Sequence, residues 1–105
     1  MNKTHTTIEL FIIEAVRKRR EELKISSSKL SLEIGLVRNF VKCTEDYTRG
    51  YKYNSNHLNE LAKVLKCNIS DFYPASYLEE NCIEEYHEIR EQRRKELERL
   101  RKQEK

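Results

Sequence analysis

Gly35 constrains this chain more than any other residue. It stands inside Ser27–Glu45, SSKLSLEIGLVRNFVKCTE, between two short segments whose apolar residues recur at helical spacing. Leu30 and Ile34 are four apart and share one helical face. Leu36, Val41 and Thr44 can point back toward that face from the second segment. Between the two, the backbone has to turn sharply at a position where a Cβ would be costly. The second segment then shows Arg38, Asn39, Lys42 and Cys43 on its opposite side. An Arg, an Asn and a Lys on one solvent face are groups that hydrogen-bond base edges or grip phosphates.

Two glycines and one proline in 105 residues are too few for a β-rich fold with many tight turns, so the expected class is all-α. The apolar residues concentrate before residue 75, which places one modest core there and leaves an appendage behind it. The charge divides in the same way. Residues 1–76 hold 13 Lys/Arg against 9 Asp/Glu, and residues 77–105 hold 8 against 9, so the basic excess lies in the first part. That distribution suits a polyanionic partner. Cys43, Cys67 and Cys82 are widely spaced and odd in number, which supports neither a disulfide framework nor a zinc site. His5, His57 and His87 pair with no cysteine or carboxylate at a metal-binding or nucleophile-activating spacing. No glycine loop cradles phosphate. The expectation is a chain without catalytic residues, metal or cofactor. Without an export signal or a long apolar run, it is expected in the cytoplasm and not in a membrane.

Residues 1–5 read as a flexible start. Thr6 with Glu9 forms a capping box that opens a helix running to about Leu23. Its buried stripe is Ile8, Ile12, Val16 and Leu23, with Phe11, Ile13 and Ala15 beside it. Ser26, Ser27 and Ser28 can cap the second helix, and Ser27 and Ser28 can also donate to phosphate. A third helix is expected over about 37–46. The loop Asp46–Asn54 turns at Gly50 and offers Arg49, Lys52, Tyr53 and Asn54 to phosphates, while Tyr47, Tyr51 and Tyr53 also suit packing. Asn54 or Ser55 caps a fourth helix that buries Leu58, Leu61, Ala62 and Leu65. Ser70 caps a short fifth helix, in which Ile69, Phe72 and Tyr73 close the core before Pro74. Ser76 with Glu79 forms another capping box, opening a charged final helix with Glu91–Lys95 and Glu98–Lys102 pairs. Ile83, Tyr86, Leu97 and Leu100 follow a 3-4 repeat that Arg90 and Arg93 interrupt. Two readings stand for this helix. One is a solvated rod that frays toward Lys105. The other is a dimerisation or partner arm using Leu78, Cys82, Ile83, Tyr86 and Ile89.

Ser31, Gly35 four residues later, Leu36, Val41 and Glu45 together resemble the helix-turn-helix of the phage repressor/Cro type, the HTH XRE family. RKRREELKISSSKLS upstream and HLNELAKVLKCNISDFYP downstream extend the resemblance over residues 8–74. It implies a five-helix repressor-like DNA-binding domain over 6–75, with 76–105 as a C-terminal helical extension. In that resemblance the third helix enters the major groove of double-stranded DNA. Arg38 suits guanine, Asn39 suits adenine, Lys42 meets phosphate or a base at the edge of the site, and Cys43 touches a thymine methyl. Arg20 and Glu45 match an internal ion pair of the family. Val37 departs from the Ser or Thr preferred at its position, and the 46–54 loop is longer than usual. The implied function is a bacterial or phage-encoded, sequence-specific transcriptional regulator, in a form that admits a homodimer. The alternative is a protein-interaction adaptor, antitoxin-like, whose partner binds residues 76–105.

Overall fold

A computed structural model describes residues 3–103. Among them lie five α-helices, one 3-10 turn and no strand, so the fold is all-α. Helix α1 spans Thr7–Glu22. Thr6 Oγ1 accepts from the Glu9 N–H, and the Glu9 carboxylate accepts from the Thr6 N–H, so the expected capping box forms. The helix stops where Lys24 adopts a left-handed φ of 56°. Helix α2, Ser27–Glu33, is capped by Ser26, whose hydroxyl accepts from the Lys29 N–H. Gly35 follows with φ 82°. A Cβ there would meet no neighbour within 4 Å, so the backbone conformation and not crowding calls for glycine.

Helix α3 is Phe40–Glu45, shorter than the expected 37–46. The Phe40 N–H closes a turn onto the Val37 carbonyl, which leaves Arg38 and Asn39 in that turn. Phe40 is the anchor, its ring 4.8 Å from that of His57 and 6.0 Å from that of Tyr53. Helix α4, Ser55–Leu65, is capped by Asn54 and ends at Lys66, also left-handed. The fifth helix of the sequence reading is a 3-10 turn, Ile69–Phe72. Its start is fixed at Asn68, whose N–H donates to Asp71, and not at Ser70. Helix α5 is Cys82–Gln103. It begins six residues after the expected capping box at Ser76, because Asn81 Oδ1 accepts from the N–H groups of Ile83 and Glu84.

The core gathers Val16, Leu30, Val41, Leu58, Leu61, Ala62, Leu65 and Phe72. On α1 the fully buried residues are Ile13 and Val16, while Ile8, Ile12 and Leu23 are only half-buried. Helix α1 is packed on by α3, α4, α5 and the 3-10 turn, so its burial is not confined to one stripe. Ile89 is buried on α5. Glu85 accepts from the Thr7 N–H at 2.9 Å, from the Thr7 hydroxyl at 2.7 Å and from Lys3 at 3.1 Å.

The expected flexible start does not hold for residues 3–5. His5 is 2% exposed, its Nε2 lies 2.6 Å from the Tyr51 carbonyl, and Thr4 bonds the Tyr47 carbonyl. These contacts tie the N-terminal strand-like stretch to the 46–54 loop. Residues 1–2, and the fraying toward Lys105, lie outside the described residues. From Arg90 to Gln103 every side chain of α5 is exposed, and the molecule measures 50 Å along its longest axis. The expected Glu91–Lys95 and Glu98–Lys102 pairs are replaced by Glu91–Arg94, Arg94–Glu98 and Glu96–Arg99, in which the shorter i,i+3 reach or the forked guanidinium wins.

Candidate nucleic-acid interface

Helices α2 and α3 are locked together by one buried hydroxyl. Ser31 Oγ donates to the Ser27 carbonyl at 2.8 Å and accepts from the Val41 N–H at 3.0 Å. Val41 and Thr44 are fully buried, and Thr44 turns its own hydroxyl back to the Phe40 carbonyl. With that edge anchored, Arg38, Asn39 and Lys42 are left exposed. Among the described residues, Arg38 and Lys42 make no ion pair. Cys43 is not beside them. It is 8% exposed and counts among the buried residues of α3 with Val41 and Thr44. Val37 is the apolar group on the outer edge, 68% exposed in the turn before α3. In the sequence it stands out only as a departure from the Ser or Thr of the resembled family, and its exposed position follows from the start of α3 at Phe40.

Arg20 and Glu45 form the expected pair. Nε and Nη2 of Arg20 donate to the two Glu45 oxygens at 3.0 and 2.8 Å, and Nη1 donates to the Ile25 carbonyl at 2.9 Å. Their side chains are 13% and 11% exposed. The pair therefore joins α1, the turn before α2 and the end of α3.

The phosphate candidates are split. Ser27 and Ser28 follow the capping Ser26, and neither hydroxyl serves as the cap. Arg49 is exposed and pairs locally with Asp46 at 3.3 Å. Lys52 is exposed but already engaged: its ammonium lies 2.9 Å from Glu9 and 5.4 Å from the centre of the Tyr86 ring. Burial tends to raise the Glu9 pKa, but the Thr6 N–H and Lys52 outweigh it and hold the carboxyl below its ordinary value. Tyr53 cannot reach a phosphate, since its hydroxyl is buried without a partner and burial pushes its pKa up. Asn54 caps α4 with its own side chain, and His57 Nδ1 accepts from the Asn54 N–H. Half-burial lowers the His57 pKa, which favours the neutral ring that this bond requires.

No family model, curated protein or solved structure matches the chain. Among the described residues, no helix is long and apolar enough to cross a membrane. Nor do three His, Cys, Asp or Glu side chains come together there as a metal site.

Proposed function

We propose that the chain is a sequence-specific DNA-binding transcriptional regulator that lays the Val37–Lys42 edge into the major groove. One observation carries this reading: Arg38 and Asn39 in the turn before α3 and Lys42 on α3 are all exposed, Arg38 and Lys42 have no ion-pair partner among the described residues, and α3 is fixed to the core through Val41. A rigid support under unpaired donors is what direct readout requires. Arg38 suits guanine O6 and N7, and Asn39 suits adenine N6 and N7. Val37 takes the thymine-methyl contact for which Cys43 is too deeply buried. Ser27, Ser28 and Arg49 are left for phosphates, whereas Lys52, Tyr53 and Asn54 act in the protein's own structure. The reading involves no catalytic step.

Binding-site selection from random duplexes tests it. The wild-type chain is expected to return a defined motif, and Arg38→Ala the same motif relaxed at one base pair, by about 2 kcal/mol. An identical motif from both proteins would remove Arg38 from the readout.

A second reading, the protein adaptor, draws on an open groove of about 1400 Å³ between α1, the end of α4 and the 3-10 turn, lined by Phe11, Ala15, Ala62, Phe72 and Leu78. Phe11 is exposed there without covering. Capture of a stable protein partner at high salt, lost on Phe11→Asp and accompanied by no DNA retention at low salt, would favour this reading over the first.

A further inference from the structure

Helix α5 changes character at Arg90. Residues 77–89 carry five acidic side chains and no Lys or Arg, whereas 90–103 carry seven basic and three acidic ones. The acidic half is the docked half, through Glu85 and Ile89. The basic half leaves the body beside the 46–54 loop. The Tyr86 ring lies 5.4 Å from the Lys52 ammonium and 5.7 Å from the Arg90 guanidinium. One turn on, the Arg93 guanidinium sits against Gly50, where an added Cβ would come within 3.1 Å of it. Arg94 and Arg99 are matched by glutamates on their own helix, but Arg90 and Arg93 have no carboxylate partner among the described residues. Two elements distant in sequence thus meet in one patch, in which Arg90 and Arg93 are the unpaired cations while Lys52 stays paired with Glu9 and Arg49 with Asp46. A basic helix C-terminus is favoured by the helix dipole, but that effect acts within the last turn and does not account for Arg90 and Arg93 in the middle of α5.

We propose that this patch and the distal half of α5 grip the phosphate backbone of duplex DNA flanking the site read by α3. The inference rests on the α3 reading above and extends it, because Gly50 lies only five residues beyond the end of α3, at most about 17 Å along the chain. Unpaired guanidinium groups on an exposed helix match phosphate in charge and in donor geometry. The rod from Arg90 to Gln103 is about 20 Å long. At one phosphate per 3.4 Å of strand it spans about six phosphates. The contact gives affinity without sequence preference, since phosphates carry no base identity.

The test compares the wild-type chain with Arg90→Ala/Arg93→Ala and Arg90→Lys/Arg93→Lys. Each is titrated with a duplex ending at the selected motif and with one extended by about ten base pairs on each side. On the longer duplex, the alanine variant is expected to lower the slope of log affinity against log salt by about 2, and the lysine variant to restore most of it. The selected motif should not change. On the shorter duplex the alanine variant and wild type should differ less. Both positions are exposed, and matching thermal unfolding curves for the three proteins check that the fold is intact. An unchanged slope on the longer duplex overturns the proposal. So does an unchanged slope accompanied by conversion of a wild-type dimer to monomer in sedimentation, which would assign the patch to a second copy of the chain. The same slopes are measured on a duplex of arbitrary sequence. A drop of about 2 there, with no motif returned by selection, keeps the phosphate grip and ends the α3 reading instead. Failure of the wild type to bind any duplex overturns both.

Discussion

Glu45→Ala is expected to cost about 3–5 kcal/mol of folding stability, measured as a shift of the urea midpoint at constant m. The size follows from what the substitution leaves behind. Arg20 cannot lose its charge at any ordinary pH. Its guanidinium is held among α1, the turn before α2 and the end of α3, with only the Ile25 carbonyl remaining as a partner once Glu45 is gone. A charge that is mostly out of water and half-satisfied is far more costly than a separated surface pair, which contributes about 0–1 kcal/mol. Removing both charges behaves differently. Arg20→Met/Glu45→Met is expected to recover most of the loss, since neither desolvated ion remains. A cost below about 1 kcal/mol for Glu45→Ala would mean that the pair is solvated as a surface pair is. The pair also fixes the end of α3, the helix beside the edge proposed to read DNA, because Glu45 is its last residue. The alanine variant, if still folded, should therefore bind its selected motif more weakly and with less discrimination than wild type.

The parts of this arrangement that were readable in the sequence are those settled by neighbours along the chain. Thr6 and Glu9 are three apart, and their box closes with no help from tertiary structure. Gly35 is needed for its own φ, and a glycine between two apolar-periodic segments announces that locally. Arg20 and Glu45 were found by their resemblance to a known pairing, and the bidentate geometry supplies the physical reason for it. The misplacements share a different cause. Ser76 with Glu79 and Asn81 with Ile83 and Glu84 are both plausible helix starts, and local propensity does not choose between them. The start at Cys82 coincides with the docking of Glu85 on Thr7, a contact 78 residues away in sequence. Lys52 looked like a phosphate donor because its partner Glu9 is 43 positions away. His5 looked like part of a frayed terminus because its acceptor, the Tyr51 carbonyl, belongs to a distant loop. Cys43 reads as a polar-face residue because its neighbours Arg38, Asn39 and Lys42 are exposed, and its burial at 8% is set by the packing around α3, which local spacing does not show. The charge division of α5 was hidden by averaging over 77–105, where the acidic and basic halves nearly cancel.

Removing the Glu85 carboxylate is expected to lower stability by about 3 kcal/mol at neutral pH, as the combined loss of charge-assisted bonds to the Thr7 N–H, the Thr7 hydroxyl and Lys3. Glu85 stands at the first turn of α1, where N–H groups lack intrahelical acceptors and a negative charge meets the positive end of the helix dipole. The Thr7 N–H, with its hydroxyl and Lys3, holds the carboxyl down to about 2, against 4.5 for an unperturbed glutamate. The sign of the pH dependence follows. Below about pH 4.5 the unfolded chain takes up a proton that the folded chain still refuses, so acid favours unfolding. The contribution of Glu85 is complete above that pH and vanishes as the pH approaches about 2. Urea unfolding of wild type and Glu85→Ala at a series of pH values should show a gap that is constant from neutral pH to about 4.5 and narrows below it. A gap that persists unchanged to about pH 3 would locate the stabilisation in packing around the side chain and not in its charge. The same variant separates the two DNA contacts proposed for the chain. With only Ile89 left to dock α5, the helix holds Arg90 and Arg93 beside Gly50 less firmly, so the salt slope should fall. Arg38 and Asn39, supported by Ser31 and Val41, should still select the same motif.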